Sequence, residues 1–175
     1  YPKIVALFKE KLARRGDESE YAAFKAHMNY LFRAKVLRNV RRADDIIELC
    51  IQAPLAAKHY KAGQFYRLQN FETLAPHIDH TLIQMEPLVV VPADHDMKQG
   101  ALTFFIRENS ASAKLCKTLK PEEPVSLMGP TGVRARIPTE HETILIIGNR
   151  DSFAFLKSYG KTLRTAGNHV IYVAA

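Results

Sequence analysis

Near the C-terminus two short apolar runs, Thr143–Ile147 and His169–Ala174, flank a helical stretch, Ser152–Thr165, that ends at Gly167. This pattern restricts the fold more than any other feature. A short continuous apolar run suits a strand covered on both faces, the usual environment of a parallel sheet. A glycine just past the last helical turn is a good C-terminal stop. Strand, helix and strand within about thirty residues make a βαβ crossover, the opening unit of a doubly wound α/β sheet. One such unit cannot form a domain by itself, so its remaining strands are expected in a longer chain. The start at Tyr1 rather than methionine and the end inside Val170–Ala175 carry the same expectation.

Upstream of Pro138 the period is two. Leu31–Val40 alternates in part, Asp44-Asp45 turns the chain into Ile46–Ile51, and Pro54 closes that strand. A turn at Lys61-Ala62-Gly63 leads into Gln64–Gln69, whereas Glu72–Asp79 has no clear period and reads as a loop. Thr81–Val91 and Ala101–Arg107 read as strands joined by the polar loop Pro92–Gly100. Ser110–Leu119 has Ala113, Cys116 and Leu119 at helical spacing, and Val125–Met128 is a short strand. Many short strands at close spacing with one short helix inserted predict a small antiparallel barrel. Ahead of it, Ile4, Val5, Leu7, Phe8 and Leu12 share a helical stripe ended by Gly16-Asp17, and Ser19-Glu20 opens a second helix to about Asn29. The expected organisation is a helical linker or tether at 1–29, a barrel at 30–138 and the start of an α/β domain at 139–175.

Charge is informative only once it is located. Residues 1–42 hold eleven Lys/Arg against four acids, and the remaining residues hold fourteen of each, so the net +7 lies in the N-terminal segment and first strand. These cations alternate with Leu, Val, Phe and Ala, without an arginine-rich tract or interleaved aromatics. A solvated helix face is the expected use, and no nucleic-acid partner is expected. No apolar run is long enough to span a bilayer. Cys50 and Cys116 sit in periodic apolar segments and read as small core residues in a reducing, cytoplasmic setting.

Two turns carry a resemblance. Ala62-Gly63-Gln64-Phe65 matches a Pro-Gly-Gln-Phe turn into a strand, and Gly129-Pro130-Thr131-Gly132 matches a Gly-Pro-x-Gly motif. In order and spacing the chain, over about residues 31–175, resembles the ferredoxin–NADP reductase superfamily. The nearer resemblance is to the electron-transfer subunit of dihydroorotate dehydrogenase, and reductase modules attached to glutamate-synthase-like and hydrogenase enzymes look similar. The resemblance implies a Greek-key, FAD-binding barrel followed by the first βαβ unit of a Rossmann-like NAD(P)-binding domain. It also implies an electron-transfer role within a larger oxidoreductase, whose other domains or subunits, and an iron–sulfur protein, are the expected partners.

The cofactor contacts implied by the resemblance are placed residue by residue. The family's Arg-Pro-Leu/Tyr-Ser run falls on Glu86-Pro87-Leu88-Val89. Here Glu86 stands where a phosphate-binding arginine is expected, and Val89 replaces the serine beside the flavin ring. An anion in place of that cation removes a charge-assisted contact and adds repulsion. A strand and phosphate-binding turn fall on Phe105-Ile106-Arg107 and Ser110-Ala111-Ser112, without the turn's glycines. Arg107 is a candidate compensating cation, and Ser112 is either a phosphate ligand or a plain helix cap. The nucleotide-binding turn falls on Gly148-Asn149-Arg150-Asp151, with one glycine and with Asp151 either near the phosphates or capping the helix.

Those departures also carry a rival reading, a cofactor-free barrel that docks as an interaction or regulatory domain. A nucleic-acid-binding barrel with a basic arm is a third reading. His77, Asp79 and His80 in one loop, with Asp94, His95 and Asp96 in another, would bind a metal only if the loops met, and solvated turn residues are the expectation. Glu122-Glu123 reads as a turn, and Ser110, Ser112 and His141 offer no nucleophile–base spacing. Tyr60 and Tyr66 flank the barrel turn, where packing is expected ahead of ring stacking on a flavin.

Overall fold

A computed structural model of the chain describes residues 18–139, 141–149 and 152–174, with Lys3, Ala6, Leu7 and Glu10 before them. Most of the amphipathic stretch at 2–15, and Asp151, lie outside these residues. In chain order the first elements are α1 (Glu18–Phe32), β1 (Ala34–Ala43), β2 (Ile46–Gln52), α2 (Pro54–His59), β3 (Phe65–Asn70), β4 (His77–Ile78) and β5 (Thr81–Leu82). There follow β6 (Leu88–Val90), β7 (Pro92–Asp96), β8 (Ala101–Arg107), α3 (Ala111–Leu115), β9 (Pro124–Thr131), β10 (Thr143–Gly148), α4 (Phe153–Thr165) and β11 (His169–Ala174).

Seven strands form one antiparallel sheet in the order β6-β3-β9-β1-β2-β8-β7. Its two outermost strands, β6 and β7, are consecutive in sequence and separated only by Val91. Laid flat, the edges of seven strands stand about 29 Å apart. Two peptide units from Val90 to Pro92 span at most about 7.6 Å. The sheet therefore curls until its edges meet, as the small antiparallel barrel expected from the sequence. Inside it, the period-two positions Ile47, Leu49 and Ile51 of β2, Tyr66 and Leu68 of β3, and Leu102, Phe104 and Ile106 of β8 are buried. Each such side chain contributes about 1.5–3 kcal/mol on burial. Cys116 is fully buried in the same core, and Cys50 is half-buried.

The two sequence motifs form one corner of the barrel. Phe65 pairs with Thr131, and the Gln64 side-chain amide donates to the Gly132 carbonyl at 3.3 Å. Gly63 has φ +96°, and a Cβ there would stand 2.5 Å from the Ala135 nitrogen. Gly129 has φ +146°, and its Cβ would meet the Tyr66 ring at 2.6 Å. Both positions combine a left-handed backbone with close approach, so only glycine suits them.

Strands β10 and β11 pair in parallel from Thr143↔His169 to Gly148↔Ala174, with α4 as the crossover. Helix α4 also lies against β7 of the barrel. The Tyr60 hydroxyl and Ser158 Oγ share a buried hydrogen bond of 2.8 Å across this seam, and Lys161 Nζ meets Asp94 Oδ1 at 2.7 Å. Buried Asn168 ties the connection down by donating to the Pro138 and Leu163 carbonyls and accepting from the Glu142 N–H.

Several expectations need correction. Leu31 and Phe32 belong to α1 rather than to the first strand. Pro54 opens the short helix α2 at its first turn, where proline costs no hydrogen bond. The predicted loop Glu72–Asp79 contains a 3₁₀ turn, Glu72–Leu74, and the start of the β4–β5 hairpin. Thr81–Val91 is not one strand: residues 83–87 are irregular between β5 and β6. Residues 92–96, predicted as loop, are β7, a strand whose polar residues face α4 and solvent. Finally, within the described residues α4 covers one face of the expected βαβ strands. Ile146 is 8% exposed under α4, but Leu145 and Ile147 are 57% and 65% exposed, with Ile171 and Val173 beside them on the open face.

The basic character of β1 is held in ion pairs. Lys35 meets Glu122 at 2.6 Å, Arg41 meets Glu108 at 2.5 Å, and Glu48 accepts from both Arg38 and Arg42. The Arg42 hydrogen bond, joined by Arg38, holds the Glu48 carboxyl below its ordinary range against the opposing effect of burial. A depressed folded-state pKa gives stability that is present at neutral pH and lost as pH falls through that pKa. Glu48→Gln is expected to cost about 1–2 kcal/mol near pH 7, the half-exposed arginines limiting the effect. The gap from wild type should close as pH falls below the ordinary carboxylate range, which chemical denaturation at neutral and acidic pH would show. Tyr60→Phe, which leaves Ser158 without its barrel partner, is expected to lower stability by about 1–2 kcal/mol. Hydrogen exchange should then quicken in α4 ahead of the barrel strands.

Candidate functional site

At the seam where β6 meets β8, a cleft of about 200 Å³ opens under α4. One wall is the run Leu88, Val89, Val90 and Val91, and the other is Phe105, Ile106 and Arg107. Ile46, Asn109 and Ala113 close one side, while Ala154 and Phe155 of α4 form the cover. Lys157, one helical turn along, sits over the Phe105 ring at 5.2 Å. The cleft exists because barrel closure brings β6 beside β8 and because α4 is fastened to β7.

Leu88, Val89, Phe105, Ile106 and Arg107, five of the residues singled out from sequence, therefore share one cavity. Leu88 packs inward against the core, and Val89 is 58% exposed. The Arg107 Nε donates to Asp45 Oδ2 at 2.9 Å, so its charge is shared with a carboxylate. Glu86 and Pro87 are exposed and do not line the cleft. They follow Met85, which is buried and donates its N–H to Asn70 Oδ1 at 2.9 Å, fixing the approach to β6.

Ser110, Ala111 and Ser112 also stand outside the cavity wall. Ser110, not Ser112, caps α3: its Oγ accepts from the Ala113 N–H at 3.2 Å. Ser112 lies within the helix, where its carbonyl accepts from Cys116 Sγ at 3.6 Å. Burial pushes the Cys116 thiol up to about 12, with Glu108 adding to the effect. Gly148 ends β10, and a Cβ there would overlap Ser152 Oγ and Leu156 Cδ1, so its place in the fold is close packing of strand on helix.

On the other side of α4, Asp94, His95 and Lys161 line two adjoining hollows of about 860 and 370 Å³. Burial would raise the Asp94 pKa, but the Lys161 and His95 N–H hydrogen bonds and the charges of Lys161 and Lys157 leave it lowered. Burial lowers that of His95, which stands edge-on to Tyr60 at 5.4 Å. Asp94 and His95 are thus parts of the seam rather than solvated turn residues. Among the described residues no group of three or more His, Cys, Asp or Glu is placed to hold a metal. Tyr60 and Tyr66 are buried, Tyr66 donating to the Ala56 carbonyl at 2.9 Å, as packing predicts.

Sequence reasoning missed the cover, Ala154 and Phe155. Nothing local signals it, since their presence here follows from how α4 docks on the barrel. Val90 and Val91 had a signal, because they continue the run that begins at Leu88.

No family model matches the chain. It is 36% identical over 155 residues to an uncharacterized protein of Rickettsia prowazekii (strain Madrid E), a match covering 89% of this chain and 20% of that protein. The chain thus spans about a fifth of the length of that relative. Among solved structures it is similar to an NADH-dependent reduced ferredoxin–NADP oxidoreductase of flavin-based electron bifurcation. The TM-score is 0.69 at 20% identity, covering 80% of this chain and 47% of that one. It is also similar to ferredoxin–NADP+ reductase from Plasmodium falciparum, with TM-score 0.61 at 11% identity and coverage of 82% and 60%. The barrel with its following βαβ unit has the fold of the ferredoxin–NADP reductase-like flavoproteins.

Proposed function

We propose that the chain is a flavin- and NAD(P)-linked electron-transfer module of a larger oxidoreductase. Residues 30–138 form its flavin-holding barrel, 139–175 begin its nucleotide-binding domain, and 1–29 tether it to the rest of the enzyme. The observation that carries this reading is the convergence of β6 and β8 on one cleft, covered by the crossover helix of the βαβ unit. The nearer kinship, to the dihydroorotate dehydrogenase subunit and glutamate-synthase-like reductase modules, belongs to the same proposal. So do a cytoplasmic setting and an iron–sulfur protein as electron partner.

The residues present fit a flavin ring well and its diphosphate in part. Leu88, Val89, Phe105 and Ile106 offer apolar walls for the flat face of an isoalloxazine. For a diphosphate the chain would offer the arginine Arg107, shared with Asp45, while the exposed carboxylate of Glu86 lies outside the cleft wall. A cavity of about 200 Å³ is smaller than the roughly 300–1,000 Å³ of most ligand pockets, so a dinucleotide has much of its length outside it. When bound, flavin supplies the redox chemistry. This chain's residues orient the ring and, through Ala154 and Phe155, keep water from one side of it.

The test is the visible spectrum of the purified 175-residue chain before and after FAD is added and the sample desalted. Retained flavin bands are expected. Val89→Asp, at a position 58% exposed, should weaken retention by about tenfold or more, because a ring stacked there would strip water from the new carboxylate. A protein that stays colourless after reconstitution overturns the flavin reading in favour of the docking one.

A further inference from the structure

Beside the cleft, the outer face of the barrel carries an arginine, Arg67, that no carboxylate pairs among the described residues. Arg67 lies in β3 between Tyr66 and Leu68, which are fully buried, so its own side chain faces solvent. The register sets it opposite Val89 of β6 on one side and Met128 of β9 on the other. Val89 is 58% and Met128 46% exposed. Side chains directly opposite across strands start only about 5 Å apart. The Arg67 side chain therefore rises between two solvent-facing apolar groups, one of which also lines the cleft.

The other arginines of the barrel strands are held by carboxylates. Arg38 and Arg42 pair with Glu48, Arg41 with Glu108, and Arg107 with Asp45. Among the described residues Arg67 is the one barrel-strand arginine without such a partner. Lys157, the cation of α4 closest to the cleft, lies over the Phe105 ring. A guanidinium left unpaired next to exposed apolar surface suits a ligand with a flat apolar body and an oxyanion, which its planar donors can grip in bidentate fashion.

The geometry points to Arg67 as the anchor for the phosphate end of a phosphate-bearing aromatic ligand whose ring enters the cleft past Val89. This rests on the flavin reading of the cleft and adds to it a basis for selecting phosphorylated over unphosphorylated forms. The charge that Glu86 fails to supply comes, on this account, from the neighbouring strand β3.

The test titrates the 175-residue chain, Arg67→Ala and Arg67→Lys with FAD, FMN and riboflavin, followed by quenching of flavin fluorescence at low and moderate salt. Loss of one charge-assisted contact corresponds to about tenfold weaker binding or more. Arg67→Ala is expected to weaken FAD and FMN binding by that factor and to flatten its salt dependence. Riboflavin binding should be unchanged, and Arg67→Lys should restore part of the loss. Equal affinity of wild type and Arg67→Ala for FAD overturns the role of Arg67 and leaves the flavin reading intact. A parallel loss of riboflavin binding also overturns it, because the side chain then acts by packing. Failure of the wild-type chain to bind any of the three flavins overturns both.

Discussion

Only Val91 separates the two outermost strands of the seven-stranded sheet, and the rest of the molecule is arranged around that short link. Because β6 and β7 cannot move apart, the sheet has to curl. Because they are not hydrogen-bonded to each other, the curl leaves a seam with two unpaired strand edges. Such edges are hazards when left open, since they template pairing with other chains. Here α4 lies along the β7 side, and the cleft occupies the place where β6 approaches β8. Site and closure are thus one structural event: a barrel with a paired seam would have no cleft there.

The docking of α4 has to be firm for that arrangement to persist, and the seam uses polar contacts in semi-buried surroundings to achieve it. A hydrogen bond between Tyr60 and Ser158 and an ion pair between Asp94 and Lys161 fix helix rotation as well as position. Apolar packing alone is less directional. Burial raises the Tyr60 pKa against the Ser158 hydrogen bond, so the hydroxyl keeps its proton at neutral pH. The ion pairs of β1 act differently. They set three carboxylates against the four cations of a strand that composition alone makes look like a basic arm.

Much of this was legible in the sequence, for identifiable reasons. The βαβ unit was clear because its apolar runs and Gly167 are strong local signals: β11 matches at both ends, and β10 runs one residue further, to Gly148. The glycine motifs were clear because Gly63 and Gly129 answer backbone requirements that few other residues meet. The barrel's far side was not. Residues 92–96 carry Pro, Asp, His and Asp, the composition of a loop; Pro92 and Ala93 are buried, while Asp94, His95 and Asp96 face a helix and solvent. The helix at Pro54–His59 is too short to show a period. In the site, Leu88, Val89 and Phe105–Arg107 came from the resemblance, whereas Ala154, Phe155 and the position of Arg67 depend on contacts between distant segments. No local pattern encodes those.

The state of the two thiols makes the protein its own stopwatch for unfolding. Cys116 has no exposed surface and a thiol held protonated to about pH 12, so an alkylating reagent cannot reach a thiolate there while the core is intact. Cys50 is half-buried on β2 beside Thr103 and is the more accessible of the pair. In a chain with two cysteines, the second alkylation event then reads out how often the barrel interior opens. Peptide mass alone assigns the label, so no engineered probe is needed to follow the breathing of the core on which cleft and seam both depend.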